Sequence, residues 1–191
     1  MTKRILPLLL FIVITLTTFA QKAESEIRET FDTYFDLIEA QDISGTLDFV
    51  YPKLFEHYPK ADLQTAFEKL YSDPDVKIEM KNAKVKSVSE TMEYQGVQYA
   101  TLDYSFDMHM KFLNNEGGEE GLQFAALMLK EVYGADNVSF DSKTGVISIH
   151  TETTMYAVND PAYPGWKFLE KKEDMKDVMK KIFPKKVLKK L

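Results

Sequence analysis

Three residues that could do acid/base chemistry, Asp103, Asp107 and His109, share the polar side of one predicted strand. Residues two apart on one side of a strand lie about 7 Å apart, so Asp107 and His109 could share a proton or a metal ion. His150 and Glu152 repeat the pattern on a later predicted strand, and pairing of the two strands would gather these groups. No ligand spacing within the sequence accompanies them. We therefore predict a solvated outer face, without a catalytic residue or a metal ligand.

Other catalytic signatures are missing from the sequence. It contains no G-x-S-x-G, no glycine-rich phosphate loop and no H-E-x-x-H. The absence of cysteine excludes disulfides, thiolate zinc sites, iron–sulfur clusters and cysteine nucleophiles. We predict no cofactor.

Aromatic residues with polar tips are the stronger indication of a binding site. Their rings can line an apolar cavity while a hydroxyl or an indole N–H contacts a ligand. The alternative is ordinary core packing with these polar tips satisfied inside the protein. The candidate ligand-binding residues are Tyr34, Tyr51, Tyr104, Tyr156 and Trp166.

The first 20 residues resemble a cleavable signal peptide. A basic start precedes an apolar run over residues 5–19, and the run ends in Thr18-Phe19-Ala20, with small side chains at the first and third positions. An uncleaved anchor is the alternative, but the clean apolar stretch is shorter than the roughly 20 residues that a spanning helix needs. We predict a signal peptide over 1–20.

The predicted export and the lack of cysteine together indicate a compartment. An exported chain without cysteine must fold by packing and hydrogen bonding alone, which is common in a bacterial periplasm and unusual for small eukaryotic secreted domains. We predict a periplasmic or extracellular bacterial protein.

The hydrophobic pattern predicts helices first and then a long antiparallel meander. Apolar residues at helical spacing change to strict alternation near residue 76, and the alternation is clearest over 100–112. The order is typical of an α+β fold. The predicted helices cover residues 23–40, 46–51, 59–71, 119–133 and 171–183, and the predicted strands cover 76–94, 100–112, 138–140, 146–158 and 166–170.

With this order of elements, the chain resembles the NTF2-like (cystatin-like) superfamily. The resemblance is carried by an amphipathic first helix, by FVYPKLF at 49–55, by GVQYA at 96–100 and by WKFL at 166–169. It implies N-terminal helices packed on a curved antiparallel sheet, the NTF2-like cone, over a domain at 21–170. The helices at 119–133 and after residue 171 are additions that we expect to cover the mouth of the cone.

Residues 171–191 form a predicted basic amphipathic helix and tail. Its apolar side carries Met175, Val178, Met179, Ile182 and Phe183 at helical spacing. Such a helix can contact an anionic membrane peripherally or bind a partner. The alternative that we favour is docking on the rest of its own chain, the acidic body formed by residues 21–166.

The net charge of −6 is the sum of unlike parts. Residues 167–191 hold ten lysines and four acidic residues, whereas residues 21–166 hold 12 basic and 26 acidic residues. This acidic body excludes general nucleic-acid binding, which needs a basic surface. It also predicts that charge attraction holds the C-terminal segment, and that high salt loosens it.

The function predicted from the sequence is that of an exported, non-enzymatic module that binds a small apolar ligand or a protein partner. The NTF2-like resemblance also admits a small acid/base enzyme of the isomerase, dehydratase or cyclase kind. That alternative requires a carboxylate or histidine with a shifted pKa inside a closed apolar pocket. A homodimer that buries the polar face of the sheet is a third possibility.

Overall fold

A computed structural model describes residues 6–114 and 117–191, with side chains from residue 21 onward. The predicted signal peptide at 1–20 lies outside the described side chains, and only the backbone of 6–20 is included. The described residues form an α+β fold with six α-helices and one antiparallel six-stranded sheet, which confirms the predicted class. The helices are α1 (Leu6–Glu39), α2 (Ile43–Asp48), α3 (Lys60–Tyr71), α4 (Gly118–Tyr133), α5 (Lys176–Ile182) and α6 (Lys185–Leu188), and the strands are β1 (Val76–Val88), β2 (Met92–Tyr94), β3 (Val97–Phe112), β4 (Val138–Asp141), β5 (Val146–Asn159) and β6 (Lys167–Glu170).

Helix α1 supplies one side of the main core. Ile27, Phe31 and Phe35 recur at a spacing of four residues and are almost completely buried against the sheet. The helix ends at Glu39, and Gln41 then adopts a positive φ of 56° that redirects the chain into α2. This turn places α2 and α3 beside the C-terminal half of α1.

The sheet has the strand order β1-β3-β5-β4, with β2 paired to β3 and β6 paired to β5. The predicted alternation along β3 is present: Leu102 pairs with Met155 and Tyr104 with Thr153, and this side of the sheet faces α1. Register shifts in β1 after Lys81 and after Val85 mark bulges, which bend a strand and increase its twist.

The opposite side of the sheet carries a second core at one end. Tyr99, Tyr156 and Val158 project to this side, where the C-terminal segment covers them through Met179 and Phe183. The sheet is therefore sandwiched at this end between α1 and the C-terminal helices.

Helix α4 and the C-terminal helices lie on different sides of the sheet. Helix α4 packs through Ala126 on Ile147 and Ile149, at the far end of the side that faces α1. Helices α5 and α6 lie on the other side of the sheet. The outer side of α4 leaves Phe124, Leu127, Met128 and Val132 exposed.

The C-terminal segment also differs in detail from its prediction as one helix over 171–183. A 3₁₀ turn at Glu173–Met175 precedes α5, and Pro184 separates α5 from α6 because proline lacks a backbone N–H. Among the described residues, the lysines of this segment form ion pairs only with nearby acidic residues, as Lys180 does with Asp177 at 2.6 Å. Buried apolar side chains, among them Met179, Ile182 and Phe183, pack the segment on the sheet.

Candidate functional site

A cavity of about 250 Å³ lies between α1 and the sheet, and α2 and α3 close its sides. The sheet contributes its inner side, α1 contributes the last turns of its apolar face, and the chain reversal at Gln41 brings α2 and α3 over the remaining gap. Its walls are predominantly apolar. They include Phe35, Ile38, Ile43, Phe67, Met80 and Phe106.

One carboxyl group reaches into this apolar setting. Glu170, at the end of β6, is partly buried, and the Tyr104 hydroxyl donates a hydrogen bond to its Oε1. The Thr153 hydroxyl donates a longer bond of 3.3 Å to Oε2. Burial raises the pKa of Glu170 above its ordinary value, and the opposing effects of these hydrogen bonds and of the Lys172 charge do not cancel it.

Two tyrosines beside Glu170 are held in the neutral form. Burial raises the pKa of Tyr104, and the nearby charge of Glu170 adds to that effect. Burial also raises the pKa of Tyr34, with a further contribution from Glu170. Both hydroxyls are thus hydrogen-bonding groups at the wall of the pocket rather than charged ones.

A second polar group in the pocket has no partner. The Thr151 hydroxyl oxygen is buried, and within the described residues it makes no hydrogen bond. Thr151 lies opposite Phe106 in the register of β3 and β5, so its side chain is on the side of the sheet that faces α1. Buried hydroxyls without partners are rare because each costs about 1–3 kcal/mol.

The five aromatic residues predicted to bind a ligand lie in three places. Tyr34 and Tyr104 line the pocket. Trp166 is buried under α1 and donates to Glu26 Oε2 at 3.3 Å. Tyr51 and Tyr156 belong to the second core across the sheet, where the Tyr51 hydroxyl donates to Asp160 at 2.7 Å.

The acidic and histidine residues singled out in the sequence lie on the outer side of the sheet, away from the pocket. Asp107 accepts a hydrogen bond from His150 Nδ1 at 2.8 Å, and His150 Nε2 is 3.7 Å from Glu152 Oε1. These contacts lower the pKa of Asp107, first through the His150 hydrogen bond. His109 instead contacts the Ser148 hydroxyl at 3.0 Å.

Asp103 completes this outer row. It accepts hydrogen bonds from Thr154 at 2.6 Å and from Ser87 at 2.7 Å, and these bonds lower its pKa. Across the described ranges, no group of three or more histidine and acidic side chains has the geometry of a metal site. The row is a hydrogen-bonded, solvated surface.

Sequence reasoning missed the polar residues of the pocket. Glu170 and Thr151 lie in strands that were predicted from their apolar residues, and neither polar residue belongs to a sequence motif. One signal was available: Glu170 follows Phe168 by two residues, so an acid shares the inward side of β6 with a buried aromatic residue.

Replacing Glu170 with glutamine tests the raised pKa directly. A carboxyl whose pKa is higher in the folded state than in the unfolded state does not change the free energy of unfolding at a pH well below both values. It lowers that free energy as pH rises and the group ionises. We expect E170Q to match the wild type at about pH 3.5 and to gain relative stability at about pH 8, because Glu ordinarily titrates between these values. Urea denaturation at both pH values measures the difference.

The matched control is E152Q on the outer side of the sheet. The Lys86 ion pair lowers the pKa of Glu152, so its charge favours folding and E152Q should not gain relative stability at high pH. Equal pH dependence of the two variants would contradict the assignment of a raised pKa to Glu170.

Comparison with models of known protein families finds no match to this chain, and comparison with curated proteins also finds none. Among the described residues, no helix combines the length and the apolar character needed to cross a membrane.

Proposed function

We propose that this protein is an exported, non-enzymatic binding module that holds a small apolar molecule in the pocket between α1 and the sheet. The observation that carries this proposal is the Thr151 hydroxyl, which is buried at an apolar pocket and lacks a partner. Ligand pockets typically combine apolar walls with a few convergent polar groups. A ligand with one hydrogen-bonding group would satisfy Thr151 and cover the apolar walls.

The proposal includes an NTF2-like cone and export. Helices on one side of a bulged antiparallel sheet, with a pocket between them, support the first part. Export rests on the leader pattern at 1–20. The first described core residue of α1 is Ala23, so cleavage after Ala20 would leave the described core of α1 intact.

The binding test uses phenylbutanol, a neutral probe with one ring and one hydroxyl. Methyl NMR should show shifts at Ile38, Ile43 and Met80, which line the pocket. Methyl groups of Met179 and Ile182, in the second core, serve as internal controls and should not move. Shifts confined to the controls, or absent from both sets, would overturn the proposal.

The unpartnered hydroxyl makes a prediction about stability. Replacing Thr151 with valine removes a buried group that lacks a hydrogen bond while keeping the shape of the side chain, so we expect the free energy of unfolding to rise by about 1 kcal/mol. The same substitution should weaken phenylbutanol binding. Urea denaturation without ligand measures the first effect and NMR titration the second.

Thr154 offers a matched control on the same strand. Its hydroxyl donates to Asp103 at 2.6 Å on the outer side of the sheet, so T154V removes a hydrogen bond that is made. We expect T154V to reduce stability and to leave phenylbutanol binding unchanged. If both variants lose stability equally, the Thr151 hydroxyl is satisfied in the free protein and the main support for the proposal falls.

Glu170 favours a second candidate function, a small acid/base enzyme. A carboxyl with a raised pKa beside an apolar cavity is an arrangement that proton abstraction next to a carbonyl can use. The probe for this candidate is benzylacetone in D₂O, where exchange of the protons adjacent to the carbonyl is followed by NMR. Catalysed exchange that disappears in E170Q would support the enzyme, and binding without exchange would leave the binding module as the function.

A further inference from the structure

We propose that the ligand of this pocket is a small apolar carboxylate, and that Lys172 is the residue that recognises its charged end. The inference rests on the proposed binding function and specifies the chemical class of the ligand. It is drawn from the position of Lys172, from its lack of a partner and from the character of the remaining pocket wall.

The position of Lys172 follows from the pairing of β5 and β6. The Lys171 N–H donates to the Thr154 carbonyl at 2.9 Å, so the chain continues beside β5 after β6 ends. Phe168, Glu170 and Lys172 alternate along this edge, and Glu170 and Lys172 both line the pocket. Lys172 is exposed, so it stands at the rim of the pocket.

The charge of Lys172 acts on Glu170 only at a distance. Within the described part of the chain, the Lys172 ammonium makes no hydrogen bond or ion pair. Its neighbour Lys171, by contrast, donates to the Leu191 carbonyl at 2.5 Å, and Lys176 pairs with Glu173. A cation at a pocket rim that lacks a partner in the folded chain is available to a ligand.

Glu170 forms no ion pair with Lys172 among the described contacts. Its two carboxyl oxygens already accept hydrogen bonds from Tyr104 and Thr153. Lys172 and Glu170 are the two charged residues described at the pocket wall, and Lys172 is the exposed one that the charged end of a ligand meets at the rim.

The size of the cavity limits the size of the apolar part of the ligand. The cavity of about 250 Å³ is smaller than the range of about 300–1,000 Å³ common for ligand sites, so one ring with a short chain fits best. An ammonium group at the rim can pair with a carboxylate while the apolar part of the ligand contacts the apolar walls. These observations together favour a compact monocarboxylate.

The test compares three probes that differ in one end group: phenylbutanoate, phenylbutanol and phenylbutylamine. Affinities are measured by methyl NMR on the full chain at neutral pH. We expect phenylbutanoate to bind the wild type about 5-fold more tightly than phenylbutanol, a ratio that corresponds to about 1 kcal/mol, the upper end for an exposed ion pair. Phenylbutylamine should bind most weakly.

Variants at Lys172 test whether this residue causes the preference for a carboxylate. K172M should make the affinities for phenylbutanoate and phenylbutanol equal, and K172E should favour phenylbutylamine. K180M is the matched control, because Lys180 belongs to the same basic segment but is paired with Asp177 at 2.6 Å and does not line this pocket. It should retain the wild-type preference.

The possible failures separate the two proposals. Equal affinity of the wild type for phenylbutanoate and phenylbutanol, or an unchanged preference in K172M, would overturn carboxylate recognition and leave the binding pocket standing. Failure of all three probes to shift the pocket methyl groups would overturn the binding function as well.

Discussion

Replacing Phe183 with alanine is expected to lower the free energy of unfolding by about 3–5 kcal/mol, the usual cost of deleting a buried phenylalanine ring. Phe183 is 3% exposed, and its ring centroid lies 4.9 Å from that of Tyr156 and 5.9 Å from that of Tyr99. The ring therefore joins the C-terminal helices to the outer side of the sheet. Urea denaturation followed by Trp166 fluorescence measures the loss, because Trp166 reports from the core on the other side of the sheet.

Phe124 supplies the control for this prediction. It lies on the outer side of α4 and is 65% exposed, so F124A deletes the same ring from a position with little packing. We expect F124A to change stability by less than about 0.5 kcal/mol. A loss in F183A as small as that in F124A would show that the C-terminal segment is not docked on the sheet in solution.

Replacing Thr46 with tryptophan should reduce the affinity for phenylbutanol by about 30-fold, which corresponds to about 2 kcal/mol. Thr46 lines the pocket from α2 and is partly exposed, so a larger side chain at this position can occupy the cavity without disturbing the main core. NMR titration gives the affinity, and circular dichroism shows whether the fold is retained.

Thr33 allows a closely matched substitution. The hydroxyls of Thr33 and Thr46 each donate to the carbonyl four residues earlier in a helix, at 3.0 Å and 2.7 Å, but Thr33 is exposed and does not line the pocket. T33W should bind phenylbutanol like the wild type. An equal loss of affinity in both variants would indicate that the probe binds elsewhere.

Much of the secondary structure was predictable because its signals are local. The alternation along β3 and the four-residue recurrence of Ile27, Phe31 and Phe35 follow directly from backbone geometry. The C-terminal segment shows that local signals do not specify where an element packs. Its apolar side was visible in the sequence, but the pattern did not specify which side of the sheet would receive it.

The candidate site was less predictable for the same reason. Asp103, Asp107 and His109 attracted attention because chemically active residue types recur at short spacing, yet they face solvent on the outer side. Glu170 and Thr151 gave little local signal. They meet in one cavity because β6 and β5 pair in a particular register and because α1 covers that side of the sheet.

The sequence by itself determined the α+β class, the alternation of β3 and the acidic body with a basic C-terminal segment. These properties depend on composition and on neighbours along the chain. Only the tertiary structure decided which polar groups enter the apolar pocket, that the C-terminal segment is anchored by apolar burial, and that Lys172 stands at the pocket rim. Those outcomes depend on strand register and helix placement, which are set by packing between segments far apart in the chain.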